Sequence, residues 1–309
     1  NRQAGRGLSP DLPCCQDPQP MTAYAEGRQK PAPPAQPTRW ITFPWWALIL
    51  AATGLLLIYL ILANPSYSDT FHYLLTGVLT TLRITFASYV IAVVIGLLTG
   101  LARTSKSTVL YTIATLYVQT ARGVPIIVLM LYVAFVMVPI GVSVLQALGA
   151  WGLTLGIAAL NPIFTQLASP TLIRNISLEA RAITALAFAY GAFEAEVFRA
   201  GIQSIGRGQM EAARSLGMTY YQAMRLVILP QAVRRVLPPL GNDFIACLKD
   251  SSLATVLAVN ELTQLGRLRR AATFDVYKTF NVVAYLYLSM TLVLSSLVQL
   301  LERKMKFEE

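Results

Sequence analysis

What most limits this chain is a series of uninterrupted apolar stretches, several of them long enough to cross a bilayer. A bilayer core about 30 Å thick takes roughly 20 helical residues at 1.5 Å rise each. Six such spans are predicted, at about Pro44 to Ala63, Thr76 to Leu101, Thr108 to Val138, Leu178 to Ala200, Leu237 to Val259 and Phe280 to Leu301. Charged residues make up only 13% of the chain, about half the share in an ordinary soluble domain. The fold class is therefore an all-α polytopic membrane protein with about six transmembrane helices.

Breaks in the apolar pattern subdivide it. Gly123 and Pro125 interrupt the third span, and proline there kinks or ends a helix. The patch Val142 to Leu160 carries Gly149, Gly152 and Gly156 and runs into Asn161-Pro162. It reads as a re-entrant or surface-lying insertion rather than a seventh span. Residues 1–43 are rich in Pro, Gly, Gln and Ala without aliphatic periodicity, which predicts a disordered tail. The chain opens on Asn1, and Met21 is its first methionine, so the first twenty residues are expected to be upstream or added sequence.

The formal charge of +10 raises nucleic acid as a partner. The basic residues, however, lie mainly between apolar blocks, where the positive-inside rule places them, and membrane topology accounts for them without nucleic acid. With the N-terminus inside, the cytoplasmic segments hold Arg28, Lys30 and Arg39, then Arg103 and Lys106, then Arg207, Arg214, Arg225, Arg234 and Arg235, and finally Arg303, Lys304 and Lys306. The first outer loop, Asn64 to Leu75, has no Lys or Arg. Arg267, Arg269, Arg270 and Lys278 fall outside, against the rule.

Enzymatic readings find little support. Cys14 and Cys15 are adjacent, Cys247 stands in an apolar stretch, and His72 is the only histidine, so neither a disulfide framework nor metal-ligand spacing emerges. Gly201 to Gly208 superficially resembles a phosphate loop, but Gly206 is followed by Arg207 and Gly208 rather than Lys and Ser or Thr.

One polar stretch carries more information. From Gly208 to Gly217 and on to Pro230, the sequence reads as two short helices joined by a turn. Gly217 suits the left-handed position after a helix, Thr219 with Gln222 forms a capping box, and Pro230 is expected to end the second helix. A compact hairpin of this kind between spans suits a groove on another protein; a solvated loop is the alternative.

The run Glu211-Ala212-Ala213-Arg214-Ser215-Leu216-Gly217, with Pro230 beyond, resembles the EAA loop of ABC-type import permeases, with Val227 where isoleucine is more usual. Further elements are similar to the polar amino-acid permease family of histidine, arginine and glutamine permeases. They are Arg122-Gly123-Val124-Pro125, the stretch Ala192 to Ile202 (with Phe193 and Glu194 atypical), Asn242-Asp243-Phe244, Leu248-Lys249-Asp250-Ser251-Ser252-Leu253 and Glu261-Leu262-Thr263. The resemblance covers about Gly77 to Lys304, apart from an insertion at about 139–175.

The resemblance implies a type I ABC importer permease: a five-helix core over 76–304, preceded by an extra helix and outer loop at 44–75. Its EAA coupling loop would lie at about 206–231, and a short cytoplasmic tail at 305–309. It further implies two copies of a cytoplasmic ATPase that bind ATP and Mg, with no cofactor in this subunit. A second homologous permease, as heterodimer or homodimer, and a periplasmic or extracellular amino-acid-binding protein complete the assembly. The location implied is the bacterial cytoplasmic membrane, with both termini inside. Glu211, Ala212, Ala213, Arg214, Gly217 and Pro230 would couple to the ATPase.

Charges within the spans are costly, at least about 2.5 to 3.5 kcal/mol each, so Arg83, Glu194, Glu196, Asp243 and Lys249 invite explanation. Glu196 and Arg199 fit a local ion pair, and Arg83 either snorkels outward or faces the bundle. Asn242, Asp243, Lys249 and Asp250 are candidates to line a substrate path, since an amino acid brings an ammonium and a carboxylate. An internal Asp243 to Lys249 pair holding helices together is the alternative. The mixed signs suggest neutral or broadly polar amino acids. Gly96 and Gly100 form a small-xxx-small pair for close helix approach.

Overall fold

The structure, a computed structural model, describes residues 45–155 and 160–305. The tail at 1–43, with Cys14 and Cys15, and the residues 306–309 lie outside the described residues. Two compact units divide the chain, Asn1–Ile49 and Leu50–Glu309; of the first, only the opening of one helix is described.

That helix, α1 (Trp45–Ala63), is apolar throughout. It is followed at once by α2 (Pro65–Ala102), 38 residues long. The outer loop expected over Asn64 to Leu75 is thereby reduced to Asn64, whose Oδ1 accepts from the Ser66 amide at 3.0 Å while Pro65 occupies the first turn. A capping side chain followed by proline starts a helix rather than a loop.

Next come α3 (Thr108–Gly123), α4 (Ile126–Tyr132) and α5 (Val138–Thr154), with α3 ending where Val124 and Pro125 adopt extended backbone. α4 and α5 are joined by a π-helical turn at Val133–Met137, so Ile126–Thr154 is one continuous helix, long and apolar enough to cross a membrane. The glycine-rich patch up to Thr154 is therefore the second half of a helix that begins at Ile126. Helix α6 (Asn161–Ala168) folds back onto α5, and the glycines serve that packing. A Cβ on Gly149 would lie 2.6 Å from the Ala168 amide nitrogen, and one on Gly152 2.5 Å from the Phe164 ring.

A short α7 (Leu172–Asn175) leads to α8 (Leu178–Gln203), capped by the Ser177 hydroxyl accepting from Ala180 N. α9 (Arg207–Ser215) and α10 (Tyr220–Ala223) form the hairpin, and a second π-helical turn, Met224–Ile228, passes into α11 (Leu229–Asp250). A 3-10 segment, Ser251–Leu257, α12 (Leu262–Thr273) and α13 (Val276–Met305) complete the chain.

Pro230 therefore does not end its helix, contrary to expectation. Each π-helical turn stops two residues before a proline, Pro139 or Pro230, and its last bond spans five residues, from Val138 N to Val133 O and from Leu229 N to Met224 O. Widening the turn relieves the clash between the proline ring and the carbonyl four residues earlier, and the helix continues.

Among the described residues, Pro65–Ala102, Ile126–Thr154 and Val276–Arg303 are long and apolar enough to cross a membrane. α8 and α11, at 26 and 22 residues, have the length but carry more ionisable groups. The core lies where α2 and α8 run against each other, around Ile84, Ala92, Leu186, Ala189 and Ala195, with α3, α4 and α11 beside them. Gly100 allows this approach: a Cβ there would lie 3.0 Å from Ala195 O.

Candidate functional site

The hairpin is built by local chemistry. Gly217 has φ +84°, its amide donates to Arg214 O at 3.0 Å, and the Met218 amide donates to Ala213 O at 3.2 Å, which closes α9 in a Schellman motif. The Thr219 hydroxyl accepts from Gln222 N, and Gln222 Oε1 accepts from Thr219 N, starting α10. Ala213 and Ala223 are buried, while Met210, Met224 and Val227 pack on Ile205, Ile228 and Ala232.

The outward side of the hairpin holds Glu211, Ala212 and Arg214, all exposed and free of ion pairs among the described residues. Leu216, Tyr220 and Tyr221 are also exposed, at 81%, 61% and 71%. Sequence reasoning passed over these three, although large apolar residues in a polar hairpin are themselves a signal. Pro230 is exposed at the start of α11.

α10, the π-helical turn and α11 are continuous from Tyr220 to Asp250, so the hairpin and the substrate-path candidates share one rod. Asp243 lines a cavity of about 510 Å³ between α8 and α11 that is also walled by Arg122, Phe193 and Arg235. The Arg122 guanidinium lies 5.6 Å from the Phe193 ring centroid and 3.9 Å from Glu196 Oε2. Arg235 donates to Ser204 O. Asp250 accepts from the Tyr190 hydroxyl at 2.8 Å.

Asn242 and Lys249, by contrast, are exposed and do not line that cavity. No ion pair joins Asp243 to Lys249, which removes the internal pair held open above. Glu196 does pair with Arg199, and also with Arg103 at 2.6 Å and Arg122, so the local pair is part of a larger cluster. Arg83 turns outward and holds Glu179 at 2.6 Å.

Glu194 on α8 is fully buried, within the influence of Tyr89 on α2 and Asp243 on α11. Two sequence signals pointed to it: a charge within a predicted span, and an atypical residue in the otherwise matching stretch Ala192 to Ile202.

Residues 92–307 match the family described as binding-protein-dependent transport system inner membrane component. The chain is 34% identical over 233 residues to the glutamine transport system permease protein GlnP of Escherichia coli (strain K12), covering 75% of this chain and 93% of that one. It is 32% identical over 234 residues to the nopaline transport system permease protein NocM of Agrobacterium fabrum, with 76% and 88% covered. The crystal structure of an amino acid ABC transporter with histidines matches with TM-score 0.60 at 32% identity, covering 79% of this chain and 98% of that chain. An inward-facing MetNI methionine ABC transporter, at TM-score 0.56 and 20% identity over 76% of this chain and 96% of that one, shows the shared fold alone. Matched from the middle of α2 through α13, this chain belongs to the binding-protein-dependent transport system inner membrane component family, as a non-catalytic ABC permease of the amino-acid branch.

Proposed function

We propose that this subunit passes polar L-amino acids, over a neutral or broader polar range, across the bacterial cytoplasmic membrane, with both termini on the cytoplasmic side. The observation that carries the reading is the rod from Tyr220 to Asp250. It joins an exposed hairpin face to the carboxylate that lines the cavity. A separate ATPase, present in two copies and binding ATP and Mg, seats on Glu211, Arg214 and the exposed Leu216, Tyr220 and Tyr221; its movement is transmitted along the rod to Asp243. A second permease completes the channel, and an external binding protein delivers the amino acid.

In the cavity, Asp243 receives the substrate ammonium, and the guanidinium groups of Arg122 and Arg235 face the α-carboxylate. Relatives named for glutamine and nopaline transport support a polar amino-acid cargo. The test is uptake by the whole complex in proteoliposomes. Uptake should require ATP and the binding protein, survive collapse of ion gradients, and fall with Asp243→Asn by roughly ten- to a hundredfold, since a charge-assisted hydrogen bond is worth about 1.5–3 kcal/mol. Uptake driven by an ion gradient without ATP refutes the reading, and wild-type uptake by Asp243→Asn removes that residue from the path.

A further inference from the structure

A polar contact ties α8 to α11 at each end of the cavity that holds Asp243. At the hairpin end, Arg235 donates to the carbonyl of Ser204, the residue that closes α8. The helices touch there, since a Cβ on Gly201 would collide with the Val236 side chain. The cavity follows α8 from Ser204 to Phe193 and α11 from Arg235 to Asp243, and goes no further. One turn beyond Phe193 on α8 stands Tyr190, with the two ring centroids 5.9 Å apart. Its hydroxyl donates at 2.8 Å to Oδ2 of Asp250, two turns beyond Asp243 on α11. Packing backs this second tie: Leu186, Tyr190, Cys247, Ala254 and Leu257 share one buried cluster, and Cys247 is fully buried.

Packing alone does not call for a phenol and a carboxylate at this place. Two apolar side chains would close the cluster without the cost of withdrawing polar groups from water. What the pair supplies instead is one charge-assisted bond, strong while its geometry holds and lost on a small displacement. α11 has a place at which such a displacement can arise. Pro238 and Pro239 lie inside it, between the hairpin and Asp243, and each removes one helical hydrogen bond. The arm beyond them, residues 240–250, is held to α2 by the Tyr89 hydroxyl, which donates to Leu240 O at 2.5 Å, and to α8 by Tyr190.

We infer that the Tyr190–Asp250 hydrogen bond is the outer closure of the substrate path: it holds the far arm of α11 against α8, and it opens to let an amino acid from outside reach Asp243. This rests on the transport reading above, which puts the hairpin on the cytoplasmic side and Asp250 at the outer end of α11, and it adds the residues that shut the path. Tyr190 and Asp250 are positioning residues. Neither lines the cavity, and both act through the placement of the α11 arm that carries Asp243.

Cys247, one turn from Asp243 and enclosed by the same cluster, is a built-in reporter. The experiment places the whole complex in right-side-out and inside-out membrane vesicles and follows the reaction of Cys247 with a small impermeant methanethiosulfonate, read by mass spectrometry of its peptide. The wild-type thiol should be protected from both sides. Tyr190→Phe and Asp250→Ala should each speed its reaction from the outer side about ten- to a hundredfold, the shift expected for one lost charge-assisted hydrogen bond, with no gain from the inner side. Asp250→Asn keeps an oxygen that accepts from the tyrosine hydroxyl, and should stay closer to the wild type than Asp250→Ala. An unchanged outer rate in Tyr190→Phe overturns the inference. Equal gains from both sides overturn it as well, because they mark a loosened fold rather than an opened outer end. Absence of ATP-driven uptake by the wild-type complex overturns the transport reading instead, whatever the behaviour of Cys247.

Discussion

Gly217 allows the coupling hairpin to be tested with a graded series. Its φ of +84° lies in the left-handed region, and no atom comes within 4 Å of a Cβ built there. Substitution therefore meets no steric neighbour, and its whole cost is backbone strain. For alanine that is about 1–2 kcal/mol, which reduces the population of the formed turn about five- to thirtyfold. Asparagine tolerates the same region and should cost less. Proline locks φ near −65° and removes the amide that bonds Arg214 O, so the turn should be lost, at about 3 kcal/mol or more. The expected order of retained ATPase in co-purification, and of ATP-driven uptake, is Gly, Asn, Ala, Pro. Thermal melting of the permease should hardly change, because the hairpin core of Met210, Met224 and Ile228 is untouched. An alanine variant as damaged as the proline variant, or a proline variant that still holds the ATPase, would refute the assignment of this turn to coupling.

Three further outcomes are expected. Gly96→Ala should destabilise the permease by about 1–3 kcal/mol in detergent melts, because its Cβ meets the backbone of Glu194 and Ala195. Gly54→Ala, with nothing within 4 Å, should be neutral or slightly stabilising. Single cysteines at Ser68 and Ser105, near opposite ends of α2, should react with an impermeant reagent from opposite sides of the membrane. Labelling of both from one side would contradict the orientation.

How much of this could be read from the chain divides along physical lines. Apolar length and turn chemistry act within a few residues. The helices α2, α8 and α13, the left-handed Gly217, the Thr219 and Gln222 box and the Gly96 and Gly100 pair were accordingly legible in the sequence, whereas the third predicted span is broken at Val124 and Pro125. Stop signals are local too, but they assume an α-helical register. Pro230 was misread because the π-helical turn ahead of it absorbs the ring. The glycines at 149 and 152 were taken as breaks when their role is to admit α6, a contact that exists only once α5 and α6 pair. The rotation of α11 likewise belongs to tertiary packing. It turns Asp243 to the cavity and Lys249 outward, although both lie six residues apart in one apolar stretch. The burial of Glu194 is of the same kind: a sequence names a carboxyl, but only the approach of α2, α8 and α11 decides that it is closed off from solvent.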